Sequence, residues 1–303
     1  MTDYGRDLLF GTFVTPTNRP ATHAVDLAVV ADRAGLDLVT FQDHPYQPRF
    51  LDTWTLLSYA ASRTGRVHLT ANVLNLPLRQ PAVLARAAAS LDLLSGGRFE
   101  LGIGAGGFWD AIEAMGGRRL TPGQSVDALD EAITVIREIW AADRPGPVRV
   151  DGEHYRVHGA KRGPAPAHDV GIWVGAYKPR MLRLIGRAAD GWLPSLGYLP
   201  GGPAELPELN RQIDDAAAAA GREPGRIRRL LNVGGRFAPT GRALLDGPPE
   251  QWAEDLAGLT LEYGISGFVL ATDDAHTIEL FAAEVAPATR ELVAAERGTA
   301  VPG

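Results

Sequence analysis

A histidine and two glycine-ended turns are the residues of this 303-residue chain best suited to chemistry. His44 follows Gln42-Asp43 directly after the apolar run Leu38–Phe41. An imidazole titrates near neutral pH, so it suits proton transfer at a substrate oxygen or a ring nitrogen, and the adjacent Asp43 is placed to orient it. A loop histidine with no chemical role fits the same position. Gly104-Ala105-Gly106-Gly107 ends the run Phe99–Ile103. Glycines there let backbone N–H groups approach an anion closely. Gly175-Ala176 ends another apolar run, and Lys178 and Arg180 flank Pro179 at a helix start. Free backbone donors and the helix dipole make that turn a second anion site. Ordinary tight turns with solvated basic residues fit both places as well.

Asn72-Val73 closes the run Val67–Val73, and asparagine is uncommon inside a strand. Aromatic residues gather at the ends of such runs: Phe13, Tyr46, Phe108, Trp109, Tyr177, Trp192 and Tyr198. Rings so placed can sandwich a flat ligand or line an apolar pocket. Ser195 is a weaker contact candidate just past Gly191–Leu193. Trp54, Trp140 and Trp252 sit on helical faces and are assigned to packing. Gly102-x-Gly104-x-x-Gly107 satisfies the dinucleotide fingerprint in form, but no strand follows soon enough to close a compact βαβ unit. There is no Gly-x-Ser-x-Gly elbow and no His-Glu-x-x-His, and no metal site is expected.

These residues need elements to hold them. Strands are predicted at Leu8–Val14, Leu38–Phe41, Val67–Val73, Phe99–Ile103, Gly171–Val174, Gly191–Leu193, Leu230–Gly234 and Gly267–Leu270. Helices fit the gaps at Thr22–Ala34, Thr53–Arg63, Pro81–Leu94, Pro122–Trp140, Pro179–Ala189, Pro207–Ala220, Pro249–Tyr263 and His276–Ala294. Strand and helix repeated eight times is the pattern of a (β/α)8 TIM barrel, whose catalytic residues gather at the strands' C-terminal ends. Thr121-Pro122-Gly123-Gln124 reads as a capping box with proline at the first helical position. Gly35, Gly96, Gly221 and Gly264 sit where a helix end needs a left-handed residue. The chain reads as one domain, 1–303. Between the fourth and fifth strands, residues 142–170 form an insertion with a hairpin signal at Asp151-Gly152. It is either a wall or lid near the active-site mouth or a surface hairpin that only packs.

The formal charge of −6 leaves no basic surplus for nucleic acid, and 45% hydrophobic residues can bury a large core. With no cysteine, thiolate chemistry and disulfides are excluded. Charges come too early in MTDYGRDLLF for a signal peptide, and no apolar run reaches membrane-spanning length. The expectations are a cytoplasmic location, a small-molecule substrate, no nucleic acid or membrane partner, and a homodimer.

An ordered set of blocks resembles the bacterial luciferase-like monooxygenase superfamily, in particular its coenzyme F420 (deazaflavin) branch. The blocks are Phe10–Phe13, Asp43-His44, Arg79 and Pro81, Ser90–Arg98, Leu101–Gly106, Ile172–Ala176 and Ala189–Trp192. The resemblance implies a flavin-type ring bound at the barrel mouth, with F420 as cofactor and FMN as the alternative. It implies a non-prolyl cis peptide at Asn72-Val73 supporting the ring, and a cofactor phosphate held by the Gly104–Gly107 and Gly175-Ala176 turns. His44 would contact the ring or the substrate, with Phe13, Asp43 and Ser195 beside it. The implied reaction is hydride transfer between F420 and a small organic substrate. Leu76-Pro77-Leu78-Arg79 and the Ala-rich helix after Pro81 look more like the F420 branch. A monooxygenase using reduced FMN and oxygen, and a non-catalytic flavin-binding barrel, are the other readings.

Overall fold

Each apolar run becomes a short parallel strand because helices cover one face and the neighbouring strands take its backbone groups. In the computed structural model, which describes residues 3–241 and 243–299, β1 (Leu9–Val14), α1 (His23–Ala34), β2 (Leu38–Phe41) and α2 (Thr53–Arg63) open the barrel. Its third position is split into β3 (His68–Ala71) and β4 (Leu74–Asn75), with α3 (Pro81–Ser95) and β5 (Leu101–Gly104) after it. Next come α4 (Trp109–Ala114), α5 (Pro122–Trp140), β6 (Val148–Asp151) and β7 (Arg156–Ala160). β8 (Ile172–Val174), α6 (Pro179–Ala188), β9 (Gly191–Trp192) and α7 (Leu206–Ala219) continue the alternation. The chain finishes through β10 (Arg228–Val233), a small pair β11 (Arg236–Phe237) and β12 (Asp246–Gly247), α8 (Pro249–Tyr263), β13 (Gly267–Ala271), α9 (Ala275–Leu280) and α10 (Ala286–Thr299).

Nine strands pair in the order β3-β2-β1-β13-β10-β9-β8-β5-β4. Because β3 and β4 are halves of one strand position, the sheet closes as an eight-position barrel, and Leu69 also bridges in parallel to Phe99. The lumen is filled by Leu38, Trp173, Leu193, Leu230 and Val269, with Phe13 and Val73 packed on them. Between strands and helices lies a larger core that includes Phe10, Phe41, Phe99, Trp192 and Trp252. Burying a side chain of this size contributes roughly 1.5–3 kcal/mol.

The local signals act as expected. Thr121 and Gln124 form the capping box of α5. Gly35, Gly96, Gly221 and Gly264 all have φ between 69° and 94° at helix ends. One predicted helix, His276–Ala294, is instead α9, a π-helical run Phe281–Val285, and α10. The wider turn leaves Phe281 and Val285 both buried against the core.

The β5-to-β8 connection carries α4, α5 and the antiparallel β6–β7 hairpin. Glu131 on α5 accepts hydrogen bonds from the backbone N–H groups of Glu153, His154 and Tyr155, which fastens the hairpin tip to the helix. No residue of 142–170 lines either cavity of the barrel mouth described below.

Candidate active site

The loop after β2 is built around a buried ion pair. Asp43 has no exposed side-chain surface, and Arg79 donates to both its carboxylate oxygens, from Nε and Nη2, at 2.9 Å. The Asn75 backbone N–H adds a third bond at 2.9 Å. Arg79 also reaches Asp52, whose carboxylate caps α2. A buried carboxylate requires this degree of pairing. Asp43 therefore does not orient His44, contrary to the expectation from adjacency. In the loop after β2 Asp43 points toward Arg79, and His44 toward Tyr46.

His44 has a different partner, because its Nδ1 lies 2.7 Å from the Tyr46 hydroxyl. Phe108 meets the imidazole edge-on, with ring centroids 5.3 Å apart. Burial pushes the His44 pKa below the ordinary histidine value, and the nearby Asp43 charge offsets only part of this. Burial, then the Asp43 charge, pushes the Tyr46 hydroxyl up. At neutral pH both groups are uncharged. With Nδ1 engaged, Nε2 is the ring atom left for a ligand.

The split in the third strand lies at Asn72-Val73, and that peptide bond is cis. Val73 packs so close to β5 that a Cβ on Gly104 would sit 2.7 Å from Val73 Cγ2. The Asn72 amide donates to Asn232 Oδ1 at 2.6 Å, and the Asn232 amide donates to Ser195 Oγ at 3.1 Å. Thr40 joins through a 3.3 Å bond from Asn72. Four strand positions thus meet in one polar floor.

Above this floor are two connected cavities. The larger, about 550 Å³, has Asn72, Ser195 and Asn232 beneath it and Phe13, Phe108 and Tyr198 around it. The smaller, about 210 Å³, lies between Val73, Asn75, the Gly104–Gly107 turn and Gly175. His44, Asn72 and Phe108 border both. In the turn, Gly106 has φ +94°, and its missing Cβ would meet Pro77 and Trp109 at 2.7 and 3.1 Å. Gly107 has no atom within 4 Å of a Cβ position, so its face of the lobe is open. Asn75 Oδ1 is buried here without a hydrogen-bond partner.

Of the residues singled out from the sequence, Phe13, His44, Asn72 and Ser195 line the larger cavity. Asp43, His44, Asn72, Val73, Gly104, Ala105, Gly106, Gly107 and Gly175 border the smaller one. Ala176 lines neither: it is buried, and its carbonyl accepts the Trp192 indole N–H at 2.8 Å. The rings also divide. Trp192 is wholly buried, and the Tyr177 hydroxyl accepts the Ser195 backbone N–H, whereas Phe108 and Tyr198 stay exposed. Arg180 is committed to the Gly123 carbonyl and Asp127. Sequence reasoning missed Gln42, Asn232, Val233 and Gly234, which line the larger cavity. A signal existed: Leu-Leu-Asn-Val-Gly-Gly repeats the Asn-Val of Asn72-Val73 at the end of an apolar run, here followed by glycine.

Comparison with known proteins agrees with this architecture. A model of the luciferase-like monooxygenase family matches residues 8–279. An F420-dependent glucose-6-phosphate dehydrogenase from Kineococcus radiotolerans is 33% identical over 243 residues, 76% of this chain and 68% of that protein. One from Microbacterium testaceum is 29% identical, covering 94% of this chain and 90% of its own. Among solved structures, an F420-dependent secondary alcohol dehydrogenase in complex with an F420-acetone adduct superposes with a TM-score of 0.81. Its identity is 19%, over 94% of this chain and 99% of that one, and the likeness is one of fold. With a family model spanning nearly its whole length, the chain belongs to the luciferase-like monooxygenase family.

Proposed function

We propose that this protein is an F420-dependent oxidoreductase that moves a hydride between the coenzyme and a small organic substrate. The observation that carries this reading is the two-lobed mouth, with a glycine-walled lobe joined to a ring-walled one at His44. Relatives named for F420 dependence support the choice of cofactor over FMN.

The residues fit such a group. Gly107 leaves one wall of the small lobe open, and the Gly104–Gly107 and Gly175 turns suit a phosphate-bearing tail. Asn72-Val73 would back the flat ring, held in place by the amide bond to Asn232. When bound, the coenzyme supplies a carbon centre that accepts or donates hydride. The chain itself manages the proton. His44 Nε2 takes the hydroxyl proton of an alcohol being oxidised, or returns one to a carbonyl oxygen, while Tyr46 pins Nδ1. Phe13 and Phe108 exclude water from the larger lobe. We also propose a homodimer. Exposed apolar side chains on α2 and α3 (Tyr59, Val83, Leu93 and Leu94) supply surface for it.

Titrating the purified protein separately with F420 and FMN, with tryptophan quenching as readout, tests the reading. F420 should bind in the micromolar range or tighter, about −8 kcal/mol or better. Tight FMN binding with no F420 binding would replace it with the FMN monooxygenase.

A further inference from the structure

The recognition chemistry of the larger cavity is uncharged throughout. Phe13, Phe108 and Tyr198 supply rings, and Phe108 and Tyr198 remain 62% and 74% exposed at the rim. Large rings left uncovered around a cavity suit an apolar ligand body. The polar groups of the floor are largely spent on one another, through the Asn72–Asn232–Ser195 bonds. Besides the Tyr198 hydroxyl at the rim, two side-chain groups are left to meet a ligand. One is the Gln42 carboxamide, for which the structure shows no side-chain hydrogen bond, and the other is His44 Nε2.

Among the described residues, no lysine or arginine lines this cavity. Arginines on adjoining segments are already tied to carboxylates: Arg79 to Asp43 and Asp52, and Arg236 to Asp246. A phosphate dianion entering here would shed its hydration with no counter-charge to replace it. A neutral hydroxyl or carbonyl would lose far less, because an amide and an imidazole satisfy it.

We infer that the substrate is an uncharged, mainly apolar alcohol or carbonyl compound, its oxygen held by Gln42 and His44 and its body against Phe13, Phe108 and Tyr198. The inference rests on the mouth being the substrate end of the proposed oxidoreductase. It separates this chain from relatives whose names specify a sugar phosphate.

The test is calorimetric titration of the whole protein, with and without F420, at low ionic strength. The probes are cyclohexanol, 1-phenylethanol, the corresponding ketones and glucose 6-phosphate, and turnover of each is followed in parallel. Saturable heat from at least one neutral probe and none from glucose 6-phosphate is the expected result. Phe108→Ala and Gln42→Ala should each weaken the neutral probe by about three- to tenfold. Both positions are solvent-accessible, so the variants should fold, with circular dichroism as the check. Saturable binding of glucose 6-phosphate, or no heat from any neutral probe, overturns the inference. The separate F420 titration distinguishes that failure from failure of the oxidoreductase reading, since the coenzyme would still bind.

Discussion

Replacing Tyr46 by phenylalanine tests whether His44 is held for proton transfer or merely packed. The substitution removes one atom, the hydroxyl that lies 2.7 Å from His44 Nδ1. It leaves the ring, whose centroid is 5.5 Å from the imidazole and 5.9 Å from Phe108, so the aromatic packing survives. Stability should change by less than about 1 kcal/mol. A hydrogen bond of this kind contributes roughly 0.5–1.5 kcal/mol net, and losing a fixed imidazole orientation adds to that. A barrier increase of about 1–2 kcal/mol corresponds to a kcat lower by about 5- to 30-fold. His44→Ala removes the group itself and should lower kcat by about 10²–10⁴-fold. Both variants should keep F420 affinity within about tenfold, read by tryptophan quenching. Alcohol oxidation needs the neutral imidazole, and burial holds the His44 pKa below its ordinary value of 6.5. The rate should therefore fall along an acid limb whose midpoint lies below pH 6.5. That acid limb persists at a reduced plateau in Tyr46→Phe and disappears in His44→Ala. Wild-type turnover by both variants across the pH range would refute the reasoning and return His44 to a packing role.

Gly107→Val should weaken F420 binding by tenfold or more while the fold is kept, because its side chain enters open space in the small lobe; fluorescence titration reads it. Gly106→Val is the contrasting control: with φ +94° and Pro77 at 2.7 Å it should also lower the melting temperature. Arg79→Met strands the fully buried Asp43 carboxylate, and should cost about 3–5 kcal/mol in urea unfolding. At the opposite end of the barrel, hydrogen bonding to Glu100, ahead of its charge and that of Asp92, raises the His168 pKa from 6.5 to about 9. His68 faces the same cluster. The raised value means that His168 stabilises the fold fully below pH 6.5, and that this contribution is lost as pH rises through about 9. Urea midpoints at pH 6 and pH 10 should differ in that direction, and His168→Gln should flatten the difference.

The barrel was legible because its signals are local. Short apolar runs, capping residues and terminal glycines act within one turn or one strand, and β2, α2, α5 and α8 start and stop at the predicted residues. For the same reason the sequence placed His44, Asn72-Val73 and the Gly104–Gly107 turn at strand ends, and hence at the mouth. It could not assign partners, which depend on the directions strands take once the ring has closed. Asp43 stands next to His44 in the chain, yet bonds to Arg79, 36 residues away. Asn232 meets Asn72 across 160 residues. Arg229, a charged residue just ahead of the predicted strand Leu230–Gly234, is the second residue of β10 and wholly buried, held by Asp214, Asn210 and the face of the Tyr4 ring. Composition and periodicity specify which face of an element is buried. What lies opposite that face is set by the closure of the eight strand positions, and only the tertiary structure decides it.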